Sequence, residues 1–191
     1  DSKHVLYVQD KGGNEDYHVY AVNPFAPNGP DGVPPARNLT PYENTRAYIM
    51  KVSKKDPNKL WVGLNDRDQS WHDLYELNVV TGARKLILQN DDRLTGFDFD
   101  WDENLRFVSR SRDDGSTEFL RVDRDRFTKV YEIGPLESAY IVSFTKDNKL
   151  PYMITNKGRN FTELVLFDPV TGQETLVDKD PLGRVDFGSA Y

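Results

Sequence analysis

Apolar and polar residues alternate in short runs along this chain, and clusters of turn-forming residues separate the runs. Alternation with a period of two is typical of strands that have one buried and one solvated face. The pattern predicts strands at residues 47–53, 59–65, 72–79, 84–89, 94–100, 105–111, 116–123, 127–133, 139–145, 150–156, 161–168 and 174–178. No segment shows a helical period with capping residues, so the sequence predicts an all-β protein.

The predicted strands repeat with a period of 45 residues. Two sets of positions keep this spacing without any gap, namely Leu60, Leu105 and Leu150, and Asp73, Glu118 and Glu163. An earlier copy at residues 4–23 aligns with residues 59–78 at an offset of 55, so the insertion between these copies is ten residues long. Repeats of this kind are units that bury their apolar faces only by stacking on one another.

Four short antiparallel strands in every repeat indicate β-propeller blades. The predicted blades occupy residues 3–40, 46–89, 94–133 and 139–178, with the start of a further blade at 184–191. The first copy lacks its innermost strand. The expected fold is therefore all-β, with about four blades' worth of four-stranded antiparallel sheets in an incomplete ring, forming a single partial propeller over residues 1–191.

Composition and charge exclude several classes of partner. The net charge is −6 and the basic residues are scattered among acidic ones, so we expect no nucleic-acid partner. No apolar run approaches the length of a membrane span, so we expect no membrane association. Cysteine is absent, which excludes disulfides and thiolate metal sites. These features favour a cytoplasmic location and are compatible with a periplasmic one.

The serine and histidine residues do not form a recognisable catalytic site. Ser116 and Ser189 each follow a glycine, but neither lies in the G-x-S-x-G turn of a serine nucleophile. His18 and His72 begin the same strand in successive copies, which favours a surface cross-strand role, and the third histidine is His4. The sequence therefore predicts no catalytic triad, no catalytic residue and no cofactor-binding residue in this chain.

Residues 97–102 alternate aromatic and acidic side chains: Phe97, Asp98, Phe99, Asp100, Trp101 and Asp102. A calcium-binding EF-hand loop needs glycine at its sixth position and glutamate at its twelfth, where this chain has Glu103 and Ser109. Alternate residues of a strand face opposite sides. We therefore expect a solvated acidic face, a buried aromatic face and no metal site.

Two other features are candidate contacts or core positions. Residues 24–35 are rich in proline and glycine, which predicts a long surface loop that is the best candidate for a contact element. Among the tryptophans, Trp61 and Trp101 lie in predicted strands and are expected in the core. Trp71 lies at the end of a loop and is expected to be open to solvent.

Several segments together resemble the propeller of the prolyl oligopeptidase family, which includes acylaminoacyl-peptidase-like and dipeptidyl-peptidase-like serine peptidases. They are residues 10–23 (DKGGNEDYHVYAVN), 36–43 (ARNLTPYE), 62–67 (VGLNDR), 71–77, 156–159 (NKGR) and 163–175. Members of that family join the propeller to an α/β-hydrolase domain that hydrolyses peptides with a Ser, Asp and His triad. The resemblance implies that this chain is a non-catalytic fragment that gates or filters peptide substrates for a missing α/β-hydrolase domain.

Two alternatives remain open at this point. One is a free-standing propeller similar to TolB that acts as a protein-interaction scaffold. The other is a propeller lyase or hydrolase with a site at the channel mouth, although no converging acid and base are found. In any of these cases, unpaired blade edges are templates for further strands. They predict that residues 184–191 join the first blade of the same chain or that of a second copy, as a homodimer.

Overall fold

The computed structural model describes residues 3–124 and 126–180. The regular structure of these residues consists of the strands β1 (Val5–Gln9), β2 (His18–Val22), β3 (Ala36–Asn38), β4 (Ala47–Val52), β5 (Lys59–Asp68), β6 (Trp71–Asn78), β7 (Arg84–Leu88), β8 (Leu94–Phe99), β9 (Leu105–Ser111), β10 (Thr117–Asp123), β11 (Arg126–Ile133), β12 (Ala139–Phe144), β13 (Pro151–Thr155), β14 (Glu163–Phe167) and β15 (Glu174–Asp178). The predicted all-β class is confirmed. Within the described ranges there is no helix with the length and apolar character needed to cross a membrane.

The strands form antiparallel sheets in chain order. Strands β1–β3 make a three-stranded sheet, and β4–β7, β8–β11 and β12–β15 make sheets of four strands. Leu60 lies in β5, Leu105 opens β9 and Leu150 immediately precedes β13, so the three leucines mark the second strand of each four-stranded sheet. The prediction of four-stranded blades is confirmed. The further strand predicted at residues 184–191 lies outside the described residues.

The turn between the third and fourth strands is built the same way in two of the sheets. The side-chain oxygen of Asn78 accepts hydrogen bonds from the backbone N–H groups of Val80 at 2.9 Å and Thr81 at 2.8 Å. A carboxylate oxygen of Asp168 accepts the corresponding hydrogen bonds from the N–H groups two and three residues later, at 2.8 and 3.3 Å. Gly82 and Gly172 complete these turns with φ of 75° each, a conformation that other residues adopt only with strain. The repeated Val-Thr-Gly sequence therefore has a local structural cause.

The chain forms two compact units, Asp1–Asp92 and Arg93–Tyr191. In the first unit, the sheet of β1–β3 packs its apolar face against the sheet of β4–β7. The buried residues of this core are Val19, Ala21, Leu39, Ala47, Leu60, Val62, Leu64, Leu77 and Val79. The guanidinium group of Arg37 in β3 also donates to the carbonyl oxygens of Val79 and Val80, which ties the two sheets together.

The second unit packs the sheet of β8–β11 against the sheet of β12–β15. The buried residues of its core are Phe119, Tyr131, Ile133, Met153, Val165 and Phe167. The hydroxyl of Tyr131 donates to Glu174 at 2.6 Å and lies 3.0 Å from the hydroxyl of Thr155. A buried polar group is stable only when it has such partners. Tyr131 therefore contributes both apolar packing and a hydrogen-bonded link between two sheets.

The acidic positions that repeat along the sequence are ion-paired. Each four-stranded sheet pairs one of them with an arginine: Arg67 with Asp73 at 2.8 Å, Arg110 with Glu118 at 2.7 Å and Arg159 with Glu163 at 3.1 Å. The Asp73 residue is only 1% exposed, and a buried carboxylate without a partner is costly. These repeated acids therefore have a structural role.

Candidate functional site

The serines and histidines considered as catalytic candidates have other partners. The Ser116 hydroxyl donates to the Asp114 carboxylate at 2.6 Å, inside the turn between β9 and β10. The Nδ1 atom of His18 lies 3.0 Å from the Nδ2 atom of Asn38 on the neighbouring strand β3. Ser189 lies outside the described residues. The predicted absence of catalytic residues in this chain stays a prediction.

His72 is less exposed than its cross-strand position suggests. Its Nε2 atom is buried and has no hydrogen-bond partner among the described residues. The imidazole ring packs against the ring of Tyr48 in β4, with 4.9 Å between the ring centroids. Burial, together with the positive charge of Arg46, lowers the pKa of His72. The imidazole is therefore neutral at neutral pH and has one N–H to donate.

Gly63 in β5 lies between the strands of Tyr48 and His72 and is paired with Tyr48 in the register of β4 and β5. A Cβ atom at position 63 would come within 2.4 Å of the Met50 side chain and 3.2 Å of the His72 Cβ atom. Any larger residue would therefore push these side chains apart. Gly63 therefore leaves room for the side chains of Met50 and His72.

Arg46 lies next to this pair of rings. Its Nε donates to the Glu15 carbonyl at 3.0 Å, and its Nη2 donates to the Glu15 carboxylate at 2.8 Å. The adjacent Tyr48 hydroxyl, followed by Glu15, raises the pKa of Arg46. The side chain of Arg46 is 34% exposed and Tyr48 is 41% exposed. We refer to Arg46, Tyr48 and His72 as the donor cluster.

An open groove of about 450 Å³ lies at the first sheet. Its walls are the β1–β2 connection, the outward side chains of β2 and the connection from β3 to β4. Its lining residues are Lys11, Asn14, Asp16, His18, Tyr20, Asn38, Pro41, Tyr42, Glu43 and Asn44. Aromatic rings, amides and charges of both signs share this surface.

The acidic and aromatic residues 97–102 do not form two simple faces. Asp100 is 3% exposed, and its carboxylate accepts the backbone N–H of Asp102 at 2.9 Å and the Arg106 guanidinium at 3.0 Å. Trp101 is 51% exposed, whereas Trp61 is buried as predicted. The predicted solvated positions of Asp98 and Asp100 and the predicted buried position of Trp101 are wrong. Asp100 and Trp101 follow the end of β8 at Phe99, where the alternation ends, whereas Asp98 lies within the strand and its carboxyl group is surrounded by protein.

No metal site emerges from the acidic residues that the structure describes. Within residues 3–124 and 126–180, no group of three or more His, Asp or Glu side chains is arranged to hold a metal ion. Asp98 is largely surrounded by protein, and this burial raises its pKa to about 7. Its carboxyl group is therefore a titrating group near neutral pH.

The loop of residues 24–35 connects β2 to β3 and projects apolar side chains. Phe25 is 86% exposed and Val33 is 60% exposed. The loop is braced internally, because Gly29 donates its backbone N–H to the Val33 carbonyl at 2.8 Å. A braced loop with an exposed aromatic residue fits a contact element, and that role stays a prediction.

The sequence is similar to those of known peptidases. It is 36% identical over 187 residues to dipeptidyl aminopeptidase BIII of Pseudoxanthomonas mexicana, a match that covers 96% of this chain and 26% of that protein. The chain spans about a quarter of the length of the curated relatives it matches. No family model matches the chain.

Solved structures share the fold at low sequence identity. TolB from Acinetobacter baumannii superposes with a TM-score of 0.63 at 15% identity, over 92% of this chain and 41% of that one. Prolyl oligopeptidase B from Galerina marginata gives a TM-score of 0.60 at 9% identity, over 96% of this chain and 26% of that one. The sheets of the present chain are propeller blades of the same kind.

Proposed function

Since this chain is a propeller segment related to the prolyl oligopeptidase family, we propose that it is the non-catalytic, substrate-filtering part of a serine peptidase. The main support is the 36% identity over almost the whole chain to a dipeptidyl aminopeptidase of which the match covers only 26%. The remaining three quarters of such a protein leave room for a catalytic domain. We expect that domain to have the α/β-hydrolase fold.

The proposed filter acts through the rigidity of the blades. A propeller encloses a central channel, and a channel beside an enclosed active site admits only chains that are narrow enough to enter. Within each unit, adjacent sheets share a continuous apolar core and are hydrogen-bonded to each other. We expect that a wall of this kind does not open for a folded protein. The expected substrates are therefore short or unstructured peptides.

The catalytic residues of the peptidase would come from the other domain. Ser116 and His18 are engaged with Asp114 and Asn38 inside this chain. The partners of this chain are therefore the hydrolase domain of the same protein and the peptides that reach it.

A hydrolysis assay on the purified 191-residue chain tests this division of labour. We expect no cleavage of chromogenic dipeptidyl amides above the buffer rate, with or without a serine-reactive phosphonate. A Ser116→Ala preparation is the control for contaminating peptidases. Hydrolysis that the phosphonate blocks and that is absent from the Ser116→Ala preparation would contradict the proposal.

A second candidate function is a free-standing interaction scaffold, which the similarity to TolB favours. The coding sequence that follows the chain separates the two functions. A G-x-S-x-G block within a few hundred residues supports the peptidase, because that motif marks the serine nucleophile of an α/β-hydrolase. A stop codon soon after the last blade supports the scaffold.

A further inference from the structure

We propose that the outward face of the first sheet docks a further propeller blade, a four-stranded antiparallel sheet supplied by the part of the peptidase outside these 191 residues. The inference rests on the proposed function for the source of that blade. The outward face is the side of β1–β3 that points away from the sheet of β4–β7. Its central side chains are Val5, Tyr7, Tyr20 and Val22.

The pairing of β1 with β2 fixes which side chains lie on this face. Val5 lies opposite Val22. Tyr7 lies opposite Tyr20, and residues that are directly opposite in an antiparallel pair share one face of the sheet. Val19, which alternates with them in β2, lies in the core shared with the sheet of β4–β7. The four side chains therefore point to the other side, where the two tyrosine rings stack with 5.2 Å between their centroids.

The repeat shows that this kind of face is covered elsewhere in the same unit. Residues 4–23 align with residues 59–78 at an offset of 55, so Val5 corresponds to Leu60. Val22 corresponds to Leu77, which lies opposite Leu60 in the pairing of β5 with β6. Both leucines are 0% exposed and belong to the core formed with the sheet of β1–β3. Val5, in contrast, is 51% exposed. The equivalent positions therefore indicate a site for another sheet of the same kind.

The side chains of the outward face select an apolar sheet. None of the four is charged, so a charged partner surface would lose its hydration without gaining a counter-ion. The sheet that covers the equivalent face contributes Leu6, Val19 and Ala21, which are small or branched apolar side chains. We expect the docked blade to present side chains of this kind, at the separation of about 10 Å that is usual for stacked sheets.

The source of the blade is argued from length. The matched part is 26% of one curated peptidase relative and 23% of another, so about three quarters of each lies outside it. Such a length has room for further blades as well as for a catalytic domain, since a blade of this repeat takes only about 45 residues.

The rate of thiol labelling tests whether this face is covered. The chain has no cysteine, so Val22→Cys and Val5→Cys each introduce a single thiol. Each variant is treated with N-ethylmaleimide as the 191-residue chain and as a protein in which this chain is joined to the rest of the proposed peptidase. Mass spectrometry of the segment that contains the thiol gives the rate. We expect labelling to be about tenfold slower or more in the longer protein, because a covered thiol reacts only when the docked blade moves away.

The matched control is Ile87→Cys, since Ile87 is 39% exposed on the edge strand β7 of the second sheet. Its labelling rate should be the same in both proteins. Equal rates for Val22→Cys and Val5→Cys in the two proteins would overturn the proposal. Protection that disappears when the hydrolase domain is removed would assign the face to that domain and overturn the proposed blade. Protection of the 191-residue chain alone that grows with its concentration would assign the face to a second copy, with the same consequence.

The outcome is independent of the tests of the filter. Unprotected thiols in a peptidase that cleaves only short or unstructured peptides would overturn the docking face and leave the filter proposal standing. Protected thiols in a peptidase that also cleaves folded proteins would overturn the filter proposal and leave the docking face standing.

Discussion

At single residues, the alternation of apolar and polar positions predicts burial only as far as the strand extends. Alternation correctly predicted that Trp61 is buried, because Trp61 lies in the middle of a strand. It failed for Asp100 and Trp101, which come after the end of β8 at Phe99. There the carboxylate of Asp100 turns inward to bind backbone N–H groups and Arg106. A period of two contains no information about such a turn, so the sequence could not predict it.

Asp98 gives a prediction about pH at the same scale. Burial raises its pKa to about 7 from the ordinary 3.8, so the folded protein keeps a proton that the unfolded chain has lost between these values. The contribution of this residue to stability is therefore full below pH 3.8 and falls as the pH rises towards about 7. Asp98→Asn has no proton to lose. Relative to the unchanged protein, the free energy of unfolding of this variant should rise across that range.

Urea unfolding at a series of pH values measures this difference. Asp113→Asn is the matched control, because the side chain of Asp113 is 96% exposed and its removal should give a flat difference. A difference between the unchanged protein and Asp98→Asn that does not vary with pH would show that the carboxyl group of Asp98 is ordinarily solvated.

At the scale of strands, the 45-residue spacing recurs in the pairing of the strands as well as in their positions. The pairing of the third and fourth strands shifts by one residue between Leu74 and Tyr75. The same shift occurs between Phe119 and Leu120, and between Leu164 and Val165, always 45 residues apart. A bulge bends and twists a strand. The repeats therefore share a detail of shape that no residue type along the sequence marks, which explains why only the strands themselves could be predicted.

The edge of β1 gives a prediction about association. Its counterparts β5, β9 and β13 pair on both sides, whereas β1 pairs only with β2 among the described strands. Free backbone N–H and C=O groups along an edge accept a strand from another chain. We expect light scattering to find concentration-dependent dimers of the chain.

A charge placed on this edge should weaken that association. Val5→Lys, at an exposed position of β1, should shift the protein towards the monomer, because lysine on an edge strand opposes pairing. Val33→Lys, at an exposed position of the loop between β2 and β3, should leave the dimer unchanged. A strict monomer at every concentration would exclude this use of the edge.

For the whole molecule, the sequence predicted the fold but not the contacts between side chains that are distant along the chain. The repeat and the segments that resemble the prolyl oligopeptidase family predicted a propeller, and the similarity to TolB and to prolyl oligopeptidase B confirms that fold. The donor cluster was not predicted. The sequence predicts a surface role for His72, whereas its ring packs against Tyr48 on a strand that is distant along the chain. Long-range proximity of this kind leaves no local pattern in a sequence.

The proposal that these blades filter substrates for a peptidase is tested most directly by substrate length. The measurement uses a protein in which this chain is joined to the proposed hydrolase domain. It compares the rates at which that protein cleaves one target sequence in a short peptide, in a disordered polypeptide and inside a folded domain. We expect rapid cleavage of the peptide, slower cleavage of the disordered polypeptide and none of the folded domain. Cleavage of the folded domain at the rate of the short peptide would contradict the account.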